Sequence, residues 1–172
     1  MEMEHRADIL RIFFALWPDS IVRRALSSWQ GKLEGMGRAM RPGNLHVTLV
    51  FLGNVEASRL EALQLAASEI EASRFDLCLD EVRYWQHNRI WHAAPREVPE
   101  ALEDLVSELQ LGLERHGFDF DRREHKPHVT LLRNARMSDA PAVDPLFWHV
   151  RDFAMVQGGM TDYRVLARFP LV

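Results

Sequence analysis

His46-Val47-Thr48-Leu49 and His128-Val129-Thr130-Leu131 are the same four residues, and the reading of that repeat decides the fold. The copies stand 82 residues apart in a chain of 172, one in each half. A strand turns successive side chains to opposite faces, so His46 shares a face with Thr48, and His128 with Thr130. Val47, Leu49, Val129 and Leu131 then point the other way, into apolar packing. A tetrapeptide can recur by chance, because Val, Thr and Leu are ordinary strand residues. The flanks argue for a true internal repeat. Each copy follows an amphipathic helical pattern that opens after a proline: Pro18 lies 28 residues before His46, and Pro99 lies 29 before His128.

Outward from the repeat, periodicity assigns the remaining elements. Residues 9–17 form an apolar first strand. Asp19 or Ser20 caps a helix to about residue 33, with Ile21, Val22, Ala25, Leu26, Trp29 and Leu33 on one face. Arg41-Pro42-Gly43-Asn44 makes a turn into a strand over 45–52, which Gly53-Asn54 ends. A second helix is expected over 58–72, a strand over 75–82, and a short strand over 90–94. A third helix runs over 99–116, with Leu102, Leu105, Val106, Leu109 and Leu113 inward and Gly117 after its end. The second repeat strand spans 128–133. Residues 139–145 form a loop, and 147–156 and 163–169 are the last strands. This order predicts an α+β, bilobal fold: two antiparallel sheets related by an approximate two-fold, helices on their outer faces, and a central cleft. Residues 1–172 read as one domain of two pseudo-symmetric lobes.

Composition narrows the function classes. The hydrophobic fraction of 47% and charged fraction of 27% suit a soluble globular protein. A formal charge of −4 argues against a protein that coats duplexes through many phosphate contacts. It leaves room for a small basic cleft, and Arg38, Arg41, Arg122, Arg123, Lys126, Arg133 and Arg136 gather around the two repeats. The lone cysteine, Cys78, forms no intrachain disulfide and reads as a buried thiol in a reducing cytoplasm. Met1-Glu2-Met3-Glu4 is unlike a secretory signal. No apolar run is long enough to span a membrane.

Two imidazoles and two hydroxyls in one cleft suit acid/base chemistry on a phosphodiester. Histidine titrates near pH 6.5, so one ring can be neutral while another is charged. The neutral ring takes a proton from the attacking oxygen, and the charged ring protonates the leaving oxygen. Thr48 and Thr130 supply hydrogen bonds to the other phosphate oxygens. No metal or other cofactor is expected.

These residues resemble the two-histidine phosphoesterases, and most closely the bacterial RNA 2′,3′-cyclic phosphodiesterases, also called 2′-5′ RNA ligases. That family is defined by two His-x-Thr-x motifs with apolar x. The stretch from Asn44 to Gly53, NLHVTLVFLG, is similar to its first motif strand, and Lys126 to Arg133, KPHVTLLR, to its second. Arg11 to Leu16 and Tyr163 to Leu171 resemble its first and last strands. Met155 to Met160 departs from the Ser-x-Leu often found before its last loop. The resemblance implies hydrolysis of an RNA 2′,3′-cyclic phosphate end to a 2′-phosphomonoester, with reversible 2′-5′ ligation of tRNA halves. It also implies His46 as proton donor and His128 as proton acceptor. The chain itself is expected to be a cytoplasmic monomer that binds no membrane. Two alternatives stay open: a noncatalytic RNA-binding relative, and a phosphodiesterase acting on a small cyclic nucleotide such as ADP-ribose 1″,2″-cyclic phosphate.

Other residues carry plainer expectations. Simple alternation puts Arg133 off the face of Thr130, which leaves phosphate contact and a structural ion pair evenly matched. The same parity puts Phe51 off the His46 face and into the core, with base stacking as its other role. His125 and His128 form His-x-x-His, but Pro127 argues against a helical ligand pair and no cysteine or paired carboxylate joins them. His5, His87, His92, His116 and His149 read as structural or exposed, and Trp85, Trp91 and Trp148 as core, with the lining of an RNA groove as the other role for one of them.

Overall fold

The computed structural model describes residues 8–172, so His5 lies outside the described residues. The strands and helices are β1 (Ile9–Leu16), α1 (Ser20–Gly31), β2 (Arg38–Ala39), β3 (Val47–Glu56), α2 (Leu60–Ser68), β4 (Phe75–Leu79), β5 (Glu81–Trp85), β6 (Ile90–Ala94), α3 (Glu100–Arg115), β7 (Val129–Arg133), β8 (Leu146–Val150), β9 (Asp152–Gln157) and β10 (Arg164–Pro170). They build an eight-stranded antiparallel sheet, ordered β10-β9-β1-β3-β7-β6-β5 with β2 also on β7, and a two-stranded sheet of β4 and β8.

The large sheet is two half-sheets joined at a seam. The repeat strands β3 and β7 meet there through one residue pair, Val47 with Val129. The approximate two-fold of the sequence passes between these two valines. Both are fully buried in the main core, as the alternation requires.

The helices hold the halves together. Asp19 caps α1 by accepting the Val22 N–H at 2.9 Å, and Val22, Leu26 and Trp29 are buried. In α3, Glu100 and Glu103 stand in the first turn and Arg115 in the last, each matched to the helix dipole. Gly117 follows at φ +75°, a left-handed conformation that glycine takes without strain. α1 packs on β7 and β8, whereas α3 packs on β3 and α2. Each of these helices thus covers the repeat strand of the other half. The opposite face of β1 and β9 carries a separate small cluster of Phe13, Ala15, Trp17, Ala154 and Val156.

Several expected boundaries change. The run over 75–82 is two strands broken at Asp80: β4 leaves to pair with β8, and β5 joins β6. The run over 147–156 breaks at Arg151 in the same way, β8 going to the small sheet and β9 to β1. β3 runs past Gly53-Asn54 to Glu56, because Gly53 adopts φ +76° where the register with β1 shifts. The second helix is shorter than 58–72 and follows a 3₁₀ turn over Ala57–Arg59. Cys78 is half-buried rather than buried, since it lies on the outward side of β4.

Candidate active site

A matching irregularity in β3 and β7 shapes the site. Leu49 and Val50 are both in the main core, and so are Leu131 and Leu132. The pairing jumps at the same places: Ala15 faces Thr48 but Phe14 faces Val50, and His92 faces Thr130 but Trp91 faces Leu132. Just after its threonine each repeat strand therefore carries one extra residue, a β-bulge. The bulge reverses the parity of the residues beyond it. Phe51 returns to the face of His46 and Thr48, where it packs on the small cluster with Tyr163 and Val165. Arg133 returns to the face of His128 and Thr130, and its positive charge acts on both His46 and His128. Both residues thus face the site, against simple alternation.

The antiparallel pair centred on Val47 and Val129 sets His46 toward Thr130 and Thr48 toward His128. The two imidazoles are then diagonal neighbours, roughly 7–8 Å apart at the backbone in regular geometry. That gap suits a phosphate held between two rings.

The first half-site is closed and aromatic. His46 Nδ1 lies 2.7 Å from the Asn44 carbonyl. A carbonyl only accepts, so Nδ1 carries the proton and Nε2 is the reactive nitrogen. Thr48 Oγ1 donates to Nε2 at 2.9 Å. Phe13, Trp17 and Tyr163 stand around the ring at centroid distances of 4.8, 5.7 and 5.8 Å. Burial pushes the His46 pKa down to about 4, with the charges of His128 and Arg133 acting in the same direction. The sequence marks Asn44 only as a turn residue. Its buried side chain donates to the Thr161 carbonyl and accepts the Tyr163 N–H, which fixes Tyr163 beside His46.

The second half-site repeats the tautomer device with different neighbours. His128 Nδ1 donates to the Lys126 carbonyl at 2.7 Å, again two residues back. Trp85 lies edge-on at 4.6 Å and His92 at 5.6 Å, both between ring centroids. Burial lowers the His128 pKa, against the pull of the Lys126 carbonyl, and the charges of His125 and Arg133 lower it further. His92 is buried at 1% exposure, and its Nδ1 has no hydrogen-bond partner. Burial and the charge of His128 push its pKa to about 4. Trp85 is half-buried in this wall, not in the core, while Trp91 and Trp148 are core residues. His92 and Trp85 reach the site because β6 and β5 pair outward from Thr130.

The remaining histidines and basic residues sort cleanly. His125 Nε2 donates to the Thr48 carbonyl at 2.8 Å and so ties the loop before β7 to β3. His116 pairs with Glu69 and His149 with Asp76, while His87 is exposed beside Trp85. Among the described residues, no group of three or more His, Cys, Asp or Glu comes together to hold a metal ion. Arg41, Arg122 and Arg123 pair with Asp162, Glu114 and Asp121. Two shallow surface hollows lie elsewhere, beside α2 and β10 and beside β4 and β8. The imidazoles instead sit half-buried in a groove on one face of the large sheet.

Comparison with known proteins gives consistent matches. A model of the LigT-like phosphoesterase family matches residues 16–92, a span holding the first repeat. An RNA 2′,3′-cyclic phosphodiesterase of Escherichia coli (strain K12) is 33% identical over 171 residues, covering 94% of this chain and 96% of the relative. A protein of the same name from Archaeoglobus fulgidus is 26% identical over 168 residues, covering 88% and 93%. Among solved structures, E. coli LigT in apo form matches with a TM-score of 0.84 at 30% identity, covering 96% of this chain and 99% of that one. The same protein complexed with 3′-AMP matches at 0.83 and 32%, with the same coverage. Among the described residues, no helix is long and apolar enough to cross a membrane.

Proposed function

The chain belongs to the LigT-like phosphoesterase family, and from that premise we propose that it hydrolyses RNA 2′,3′-cyclic phosphate ends to 2′-phosphomonoesters. The observation that carries the reading is the pair of imidazoles with pinned Nδ1–H tautomers on one sheet face. In the proposed reaction, water attacks phosphorus and His128 Nε2 takes its proton. The bond from phosphorus to the 3′ oxygen breaks, and His46 Nε2–H protonates that oxygen. Thr48, Thr130 and Arg133 hold the non-bridging oxygens. All the acid, base and anion-binding groups are side chains of this chain, so the proposal needs no metal. With an RNA 5′ hydroxyl in place of water as the nucleophile, the same groups support 2′-5′ ligation, for instance of tRNA halves, and the reverse of that step cleaves the bond again. The proposal treats residues 1–172 as one catalytic domain, a cytoplasmic monomer.

The protonation states follow from charge. In the free protein both imidazoles are held below their usual pKa, which favours neutral rings with the single proton on Nδ1. A bound phosphodiester anion favours the charged form of a neighbouring group. Binding of the substrate anion therefore lets His46 take from solvent the proton that it later gives away. After one turnover the proton sits on His128, and exchange with solvent resets the pair.

The test is a turnover assay in EDTA on RNA ending in a 2′,3′-cyclic phosphate, with 2′- and 3′-phosphate products resolved. Metal-free formation of the 2′-phosphate is expected. Activity lost in EDTA and restored by one divalent metal would contradict the proposal, as would a 3′-phosphate product.

A further inference from the structure

Arg38 on β2 and Arg133 on β7 are direct cross-strand partners. Residues opposite each other in an antiparallel pair point to one face, and like charges in that relation are unfavourable. Arg133 faces the groove, so Arg38 flanks it there, one strand outward. Among the described residues neither has a carboxylate partner, unlike Arg41, Arg122 and Arg123. Arg136 is also turned away, donating to the Gly35 carbonyl.

The pairing is held in place from several sides. The Met40 N–H donates to the Leu131 carbonyl at 2.9 Å, and the Arg136 N–H to the Met36 carbonyl at 2.7 Å. Gln30 on α1 donates to both the Met40 and Leu131 carbonyls. Gly37 sits so close to β7 that an added Cβ would fall 2.8 Å from Ala135 Cα and 2.9 Å from the Arg133 carbonyl oxygen. Only glycine fits there. The chain thus clamps two unneutralised cations side by side, which favours an anion between them.

We propose that Arg38, clamped beside Arg133, is a subsite for a second phosphate, the internucleotide phosphate next to the reacting one, so that an oligonucleotide end is preferred to a mononucleotide. This rests on the function proposed above. Arg133 reaches the reacting phosphate and Arg38 its neighbour along the chain. A 2′,3′-cyclic mononucleotide without a 5′ phosphate offers Arg38 nothing to bind.

The experiment compares kcat/KM for adenosine 2′,3′-cyclic phosphate and for an ApA dinucleotide with the same cyclic end. A third substrate is that dinucleotide with a neutral methylphosphonate linkage. Wild type should prefer the charged dinucleotide over both others. Arg38→Gln should cut the charged-to-neutral ratio roughly tenfold to hundredfold, the range of a hydrogen bond between charged groups. In that variant, neutralising the linkage should change little further, since the charge has lost its partner. An unchanged ratio in Arg38→Gln, or equal turnover of all three substrates by wild type, overturns the subsite and leaves the proposed function standing. Turnover of none of them by wild type contradicts the proposed function, and the subsite falls with it.

Discussion

The two copies of His-Val-Thr-Leu build half-sites alike in backbone and unlike in surroundings. In both, the histidine donates Nδ1–H to the carbonyl two residues back, and a bulge comes after the threonine. The first ring is packed among Phe13, Trp17 and Tyr163 and bonded to Thr48. The second stands against Trp85 and His92. Five residues after each histidine, the bulge delivers Phe51 in one half and Arg133 in the other. An aromatic ring and a guanidinium thus occupy equivalent places. Duplicated sequence supplies a symmetric frame, and the neighbours make its two ends chemically different.

Removing either end should have the largest effect. His46→Ala and His128→Ala should each lower kcat by roughly 10²–10⁴, the usual worth of a positioned acid or base. Circular dichroism should show both variants folded, since neither ring belongs to the main core. Near-normal turnover in either variant would break the two-ended account.

Next comes the position where the halves differ. Arg133→Met should lower kcat/KM by roughly tenfold to hundredfold, because a charge-assisted hydrogen bond to phosphate is lost. Phe51→Leu should cost less than Arg133→Met, since it trims a packing contact. Equal losses would mean that the bulge delivers two interchangeable groups.

The pH dependence sharpens the comparison further. His46 is held at about 4 in the free protein, and His128 below its usual 6.5. The singly protonated pair is then most populated in mild acid. Substrate anion raises both groups. The optimum of kcat/KM, which reports the free protein, should therefore lie at lower pH than that of kcat, which reports the complex. Coincident optima would show that bound phosphate does not shift the imidazoles.

The smallest expected effect is on stability. His46, His92 and His128 have folded pKa values below the unfolded value of 6.5. The unfolded chain therefore binds more protons between about pH 6.5 and 4, and stability falls as pH falls through that window. His92→Leu removes a buried, unpaired ring nitrogen, so thermal melts should show a relative gain that grows as pH falls from about 6.5 to 4. A gain independent of pH would assign the effect to packing alone.

Much of this frame was legible from period-two alternation, because His and Thr two apart must share a face in a strand. The parity of Phe51 and Arg133 was not, since a bulge depends on the partner strand. Its trace is the adjacent apolar pairs, Leu49-Val50 and Leu131-Leu132, where alternation has room for one. His92 was hidden inside the apolar run 90–94, and only its pairing with Thr130 brings it to the groove. The breaks at Asp80 and Arg151 depend on strands far away in the chain, which local pattern does not report.

The most direct test of the division of labour is leaving-group rescue. A substrate whose 3′ oxygen is a better leaving group needs less help from the acid and the same help from the base. With His46 as donor and His128 as acceptor, such a substrate restores turnover to His46→Ala far more than to His128→Ala. Rescue of His128→Ala instead would reverse the assignment, and rescue of neither would contradict the account of two histidines acting as acid and base.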